Sequence, residues 1–431
     1  MRCSALPSLP RLLAVFALAA CSHNGAAFVP AAGGSPEGIQ NATRATQYTI
    51  LYAFKGVPDG AHPSADLIVY KGNLYGTTID GGTGCYKRVG CGTVFEVGPL
   101  GREERVIYRF RGGGDGAHPF ATLVALGAAF YGTTRSGGGS GCGGGGCGTI
   151  FSVTRDGAEH VLYAFKGGSD GSNPVAGLVP FKGSLYGTTE FGGNPACPSR
   201  CGTVFAYDLT TKKERVVYAF RGVPDGAQPV APLIAVNGEL YGTTEVGGDN
   251  ASSACFYTSG CGTIFKVTAA GKETVLIVFV LTPSDALAGF PTTPLTYSNG
   301  TFYGTTSVGG GGSVSGPGCG TVYSGTNGSW SVIYFFGSGY GSYCPEGTPN
   351  GVHVVGGVIY GTTAYGFGSV YALQPSSFSV LHKFKGGSDG ATPAASVIDG
   401  PSGLLYGTTT NGGGKGCYNH AGCGTVFAIA P

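Results

Sequence analysis

Leu74-Tyr75-Gly76-Thr77-Thr78, followed by Cys91-Gly92-Thr93-Val94-Phe95, is the stretch on which the reading of the fold turns. The two motifs recur as a pair to the end of the chain. Tyr-Gly-Thr-Thr begins at Tyr75, Tyr131, Tyr186, Tyr241, Tyr303, Tyr360 and Tyr406, in steps of 56, 55, 55, 62, 57 and 46 residues. Self-similarity at such a period marks a repeat architecture, in which each copy is one supersecondary unit stacked on its neighbours.

One copy reads as four strands. Pro174 to Phe181 and Leu185 to Thr189 are apolar, β-branched runs on either side of Lys182-Gly183-Ser184, a hairpin signal. A Gly- and Cys-containing loop follows over 190–201. Gly202 to Tyr207 alternates as a third strand, and Glu214 to Phe220 is a fourth. A link from Arg221 to Pro229, carrying an Asp-Gly turn, leads into the next copy. No window in 46–431 shows a sustained helical period.

Four short antiparallel strands in each of seven units predict an all-β protein, a seven-bladed β-propeller of four-stranded antiparallel blades. Blade strands are named a to d from the axis outward. The chain enters with Tyr48 to Phe54, which matches strand d, and ends with Gly424 to Ile429, which matches strand c. The last blade therefore lacks an outer strand that the N-terminal segment supplies. Pairing the two closes the ring and leaves no blade face uncovered. The expected blades span 64–110, 119–165, 174–220, 229–280, 291–336, 349–384, and 393–429 with 48–54. An open solenoid is the rival fold, but caps are not visible at either end.

The a–b hairpin followed by Gly-Gly and two further strands is similar to kelch-type propellers. More closely, the repeated Leu-Tyr-Gly-Thr-Thr, Gly-Gly and Gly-Thr-Val-Phe resemble the GloVer tandem repeat of bacterial surface proteins with varied anchors. The resemblance covers about 48–429. It implies an exported, surface-attached protein and brings no catalytic residues with it.

Of 431 residues, 83 are Gly and 11% are charged, with a formal net charge of +2. No Lys/Arg run or basic patch supplies the electrostatic footprint of nucleic-acid binding. Arg2 and Arg11 precede the short apolar core Leu12 to Leu18, as in an export signal. Leu18-Ala19-Ala20-Cys21 resembles a bacterial lipobox, which implies cleavage before Cys21 and its acylation. Residues 1–20 are thus expected to be a lipoprotein signal peptide, 21–47 a flexible tether, and 48–431 the propeller. The expected location is the bacterial cell envelope, lipid-anchored and facing the periplasm or the outside. If the lipobox is not used, the protein is secreted.

There are 14 cysteines. Ten form close pairs at one place in the repeat: Cys85/Cys91, Cys142/Cys147, Cys197/Cys201, Cys255/Cys261 and Cys417/Cys423. Cys319 occupies a second position whose partner is missing, and Cys344 from the following loop is expected to replace it. An even count in an exported chain argues for disulfides. Cys-x-x-Cys knuckles with His at zinc spacing are absent, and no cofactor is implied.

In propellers the d–a links and b–c loops gather around one mouth of the channel, where binding sites are built on a rigid scaffold. The cysteine loops are expected on that face. Each link carries an acid: Asp59, Asp115, Asp170, Asp225, Asp285, Glu346 and Asp389. Asp before Gly favours a turn through bonds to its own backbone, so a structural role is the first expectation and ligand contact the second. Two links alone read Asp-Gly-Ala-His-Pro, placing Asp59/His62 and Asp115/His118 on neighbouring loops. These could in principle hold a divalent metal, though a tolerant surface position before Pro is the plainer reading. Tyr340 and Tyr343, beside Glu346, suit sugar or peptide recognition, whereas Trp330 on strand d is expected to pack.

No nucleophile elbow, phosphate loop or metalloprotease motif occurs. The expectation is a monomeric surface lipoprotein that binds an extracellular protein, peptide or glycan through its loop face and performs no catalysis. The alternatives are an envelope hydrolase or lyase with acids at the channel mouth, and a structural envelope module.

Overall fold

The computed structural model describes residues 48–431 except 86–88, 102, 198–200, 249–254, 256–259, 281–288, 311–317, 338–343 and 418–420. The expected signal peptide, the tether and Cys21 lie outside the described residues. Among the described residues there is no α-helix, and no helix long and apolar enough to cross a membrane.

Seven four-stranded antiparallel sheets form the ring. Blade 3 shows the plan: Val179–Phe181, Ser184–Thr189, Thr203–Asp208 and Lys213–Ala219 follow one another from the axis outward. Ring closure is as the termini imply. Tyr48–Ala53 pairs with Thr425–Ile429, Tyr48 opposite Ile429 and Ala53 opposite Thr425. In every blade the c–d ladder carries a register shift at the residue before the strand-c aromatic or its equivalent, such as Val204/Phe205. A bulge there sharpens the twist of the outer strand.

The recurring motifs are explained by what they touch. The second threonine of Tyr-Gly-Thr-Thr shares a hydrogen bond with the first residue of strand c in all seven blades, as in Thr78–Thr93 and Thr189–Thr203, both at 2.8 Å, with Ser369 standing for threonine in blade 6. Except in blade 3, where Thr188 Oγ1 has no partner among the described residues, the first threonine bonds to the next blade instead. Thr77 and Thr133 donate to the carbonyls of Ala121 and Ala176 at 3.0 Å, and Thr408 donates across the closure to Ala65 at 3.5 Å. These threonines do more than satisfy strand preference. They link strand b to strand c within a blade and one blade to the next.

Glycine in the motif makes room for a ring. A Cβ on Gly187 would lie 2.5 Å from Cζ of Phe205, and one on Gly407 equally close to Phe427. The blades then interlock through aromatics. Phe54, Phe110, Phe165 and Phe220 at the ends of their d strands each set a ring centroid 5.0 Å from Phe95, Phe151, Phe205 and Phe265 of the following blade. Phe279/Tyr323, Phe336/Tyr371 and Phe384/Phe427 complete the circle at 5.2–5.4 Å. Edge-to-face pairs of this kind add to the area they bury, and each apolar cluster accordingly draws on two blades. Trp330 packs on Phe302 with centroids 5.9 Å apart.

All six expected cysteine pairs are bonded: Cys85–Cys91, Cys142–Cys147, Cys197–Cys201, Cys255–Cys261, Cys319–Cys344 and Cys417–Cys423. Within these loops the second cysteine of the pair lies beneath the surface. Cys91, Cys147, Cys201, Cys261 and Cys423 are wholly buried, in the apolar clusters between blades. Each immediately precedes strand c, and its carbonyl accepts an amide from the link that enters the next blade. Asn173 donates to Cys147 at 2.9 Å, and Gln228 and Phe290 donate to Cys201 and Cys261 at 2.8 Å. The second cysteine of each pair is thus tied to the next link through its backbone, while Cys85 and Cys142 stay exposed and Cys197 and Cys417 half-buried. Cys147, Cys201 and Cys261 are core staples with no surface to offer a ligand. The disulfides also sit against the links: a Cβ on Gly112 would meet the sulfurs of Cys85 and Cys91. Six disulfides indicate an oxidising compartment, periplasmic or extracellular.

Candidate binding site at the channel mouth

The link acids turn inward on their own loops. Asp115 accepts the Tyr108 hydroxyl at 2.6 Å and the Arg111 amide at 2.7 Å. Asp170 accepts Tyr163 and the Lys166 amide, both at 2.7 Å. Asp59 and Asp225 repeat the arrangement with Tyr52 and Tyr218 at 2.8 Å and also accept the amide that follows them. In Asp389 the donor is His382 Nε2 at 3.1 Å, and Glu346 accepts Tyr334 at 2.9 Å. Each carboxylate thus holds its link to the preceding d strand, and no ring of free carboxylates is formed by these residues. Asp285, Tyr340 and Tyr343 lie outside the described residues.

His62 and His118 do not meet the acids of their own links. Both approach Asp80, in the b–c loop of blade 1. His62 Nδ1 lies 2.8 Å from Asp80 Oδ2, and His118 Nε2 lies 3.9 Å from Asp80 Oδ1, with Ser136 Oγ 3.0 Å from His118 Nδ1. Burial lowers the His118 pKa, against the opposing charge of Asp80. Among the described residues no group of three or more His, Cys, Asp or Glu side chains is placed to hold a metal ion. The position before Pro is also more constrained than a tolerant surface site. His62, His118, Asn173, Gln228, Phe290 and Thr392 all adopt φ between 51° and 58°. Their amides bond back to the preceding blade, as His62 does to the Cys423 carbonyl at 2.8 Å.

The channel mouth carries charge that the links do not. A cavity of about 350 Å³ is lined from all seven blades, and its charged members are Asp66, Arg135, Glu190 and Glu245. Arg135, Glu190 and Glu245 immediately follow Tyr-Gly-Thr-Thr in blades 2, 3 and 4. Their amides bond equivalent link carbonyls, those of His118, Asn173 and Gln228, at 2.9–3.1 Å. The same place in the other blades is Ile79, Ser307, Ala364 and Thr410. The fold therefore sets the backbone at this position and leaves the side chain open.

Burial raises the Glu190 pKa, opposed by Arg135 and reinforced by Glu245, whose own pKa burial also raises. Arg135 is exposed and lies 5.8 Å from the ring centroid of Phe120, another lining residue. Asp66 is pushed up to about 6 by burial, against a hydrogen bond from the Ser396 backbone. Asp66 Oδ1 and Ser64 Oγ are enclosed and have no hydrogen-bond partner among the described residues. None of these four charged residues stands out when the sequence is read for loops and links. Aligning the seven copies on Thr-Thr exposes three of them, as a column where charge comes and goes while its flanks stay constant.

A sequence-family model described as the Gloeobacter/Verrucomicrobia repeat matches residues 32–256, 145–367 and 256–431. No curated protein matches the chain. Among solved structures, the computationally designed protein Ika8 is similar with 12% identity and a TM-score of 0.47, covering 88% of this chain and 98% of that one. An oxidoreductase (glucose dehydrogenase) from Thermus thermophilus is similar at 17% identity and a TM-score of 0.42, covering 72% and 96%. TolB from Acinetobacter baumannii matches at 12% identity and a TM-score of 0.32, covering 65% and 59%. These likenesses are too distant to bear on what the channel does.

Proposed function

The chain belongs to the Gloeobacter/Verrucomicrobia repeat family, and on that premise we propose that it is an exported, lipid-anchored surface module that binds a protein, peptide or glycan at the mouth of its channel. One observation carries the reading. The mouth is a cavity fed by every blade, yet only blades 1 to 4 charge it, at positions where the other copies show that the fold needs no charge. Repeated features serve the ring, and departures from the repeat are what a ligand would read. The link acids, each held by its own loop, support a framework role for the repeated carboxylates.

The test is capture of extracellular proteins, peptides and glycans by the folded propeller and by an Arg135→Ala/Glu190→Ala/Glu245→Ala variant. A ligand retained by the first and lost by the second supports the reading. Capture that is identical for both, or absent from both, defeats it. Incorporation of labelled fatty acid, abolished by Cys21→Ser, tests the anchor separately.

Glu190 and Glu245, two acids raised in one cavity, favour a second reading as an envelope hydrolase or lyase, since such pairs suit general acid and base work. Turnover of a glycan or peptide that Glu190→Gln abolishes without weakening its binding would establish it.

A further inference from the structure

We propose that a second site, on the face opposite the links and between blades 3 and 4, takes the carboxylate of an acidic sugar on Arg215 and Tyr186. Blade 1 holds a carboxylate of its own at the equivalent place. There Glu96 of strand c lies between Tyr75 of strand b and Arg105 of strand d. The Glu96 side chain is 7% exposed, accepts the Tyr75 hydroxyl at 2.7 Å and Arg105 at 2.6 Å, and is also bound by Arg155 of blade 2. Against burial, which would raise it, Arg155 and Arg105 hold the Glu96 carboxyl down to about 2. Glu96 and both arginines line a cavity of only about 160 Å³.

Blade 3 keeps the tyrosine and the arginine and lacks the acid. Tyr186 and Arg215 flank Ala206 in the register in which Tyr75 and Arg105 flank Glu96. From the next blade, Ala269 stands where Arg155 stands beside blade 1, each six residues after the threonine that opens its strand c. The cavity at this place is about 500 Å³. Arg215 donates to the Ala269 carbonyl at 2.8 Å and meets no carboxylate among the described residues. Tyr186 is 2% exposed and lines the cavity, yet its hydroxyl makes no hydrogen bond among the described residues and is not sealed from solvent. A buried hydroxyl is ordinarily paired. In blade 4 the same tyrosine, Tyr241, donates to Glu239, and Lys266 holds that acid from the position of Ala206. Blades 1 and 4 thus give this hydroxyl a carboxylate and a cation from within the chain, and blade 3 gives it the cation alone.

The rest of the lining narrows the ligand. Lys182 and Lys213 join Arg215 at the cavity. Of the two acids there, Asp208 is bonded to the Thr210 and Thr211 amides of its own turn, and Glu214 faces Asp170 and Tyr163. A guanidinium matches a carboxylate through paired N–H donors. Beyond the charges the wall is Ser184, Thr211 and two alanines. It presents hydroxyls and no long apolar side chain, which suits a hydroxylated body, and the volume lies in the range of small-ligand pockets. The fold does not require the arginine, because the same register position holds Thr49, His160, Thr274, Ser331 or Ser379 in other blades.

Calorimetric titration of the folded protein with D-glucuronate tests the proposal, with D-glucose as the neutral control and acetyl-Gly-Glu-Gly-amide as the peptide carboxylate. Binding of glucuronate, and not of glucose, is expected. Arg215→Gln should weaken it about tenfold and Tyr186→Phe about fivefold. Ala206→Glu restores the internal carboxylate of blade 1 and should abolish binding without lowering the melting temperature. If that variant folds poorly, Arg215→Gln at an exposed position decides the matter. No binding of glucuronate, equal binding of glucose, or binding that survives both Arg215→Gln and Ala206→Glu overturns the proposal. Binding of the peptide without the sugar overturns it as well, by making the ligand a protein side chain.

Discussion

Tyr163 donates its hydroxyl to Asp170 at 2.7 Å, across a link that also ties the Lys166 amide to the same carboxylate. The tyrosine and the acid are seven residues apart, and the same spacing recurs in Tyr52/Asp59, Tyr108/Asp115 and Tyr218/Asp225. A carboxylate that gathers a phenol and an amide fixes where strand d ends and where the chain turns toward the axis. Asp170→Ala removes both bonds and leaves a half-buried hydroxyl without its acceptor. The expected loss is about 1–3 kcal/mol in denaturant unfolding, with ligand capture at the channel unchanged. If stability is unaffected, the link acids are not structural fasteners.

A second carboxyl stands beside each of these fasteners. Glu104, Glu159, Glu214 and Glu273 lie in the first two residues of the d strand of the following blade, and each has an enclosed Oε1 without a partner among the described residues. Burial, then the charge of Asp115, Asp170 or Asp225, pushes Glu159, Glu214 and Glu273 up to about 7. The groups facing Glu214 are Asp170, Tyr163 and Lys166. A folded pKa above the unfolded one means that the native state holds the proton more tightly. Stability from these pairs is full below the unfolded value, about 4.3 for Glu, and declines as pH rises through about 7. The melting temperature should therefore be higher at pH 5 than at pH 8. Glu214→Gln, which keeps the shape and cannot ionise, should flatten part of that slope. An unchanged slope would show that Glu214 does not titrate in this range.

The ring and its staples were readable because they repeat. Seven copies of one motif, a leading strand d and a trailing strand c define closure without any coordinate, and paired cysteines at one place define bridges. Which cysteine of a pair is buried was not readable, because spacing says nothing of depth. Cys147, Cys201 and Cys261 lie in the core, at positions where the link beyond them bonds their carbonyls. The channel charges were hidden in another way, because Arg135, Glu190 and Glu245 occupy a column that holds no one residue type across the seven copies. They come directly after the most regular stretch of each repeat, at the start of loops where departures from the repeat are most visible. The His62–Asp80 contact escaped for a different reason. His62 has an acid three residues before it in sequence, and the fold turns that acid toward Tyr52 while bringing in Asp80 from the hairpin beyond.

Gly187 carries a sharper steric argument than conformational freedom. It is paired with Phe205 across strands b and c, and its missing Cβ is the space that the Phe205 ring fills. Gly187→Ala sets a methyl 2.5 Å from Phe205 Cζ and 2.9 Å from Leu178 Cδ2 in a wholly buried site. Overpacking of this kind costs about 1–3 kcal/mol. Shortening the ring in the double variant Gly187→Ala/Phe205→Leu should recover part of the loss, although Phe205→Leu alone is destabilising. A double variant no better than the sum of the two would place the cost in the backbone, since contacting residues should couple.

The disulfides are unequal in a way that reduction can expose. Five close loops with sequence separations of 4 to 6, whereas Cys319 and Cys344 are 25 apart. Loop-closure entropy gives about 2 kcal/mol for the short bridges and about 3.5 kcal/mol for the long one. Cys319–Cys344 also spans from the b–c loop of blade 5 to the link that enters blade 6, so it ties two blades where the others brace one loop. Cys319→Ala/Cys344→Ala should therefore cost more than Cys142→Ala/Cys147→Ala in urea unfolding at neutral pH. Native-state proteolysis should show blades 5 and 6 opening first in the former variant and no comparable local opening in the latter. Equal losses from the two double variants would mean that the ring itself, rather than the bridge, holds that sector closed.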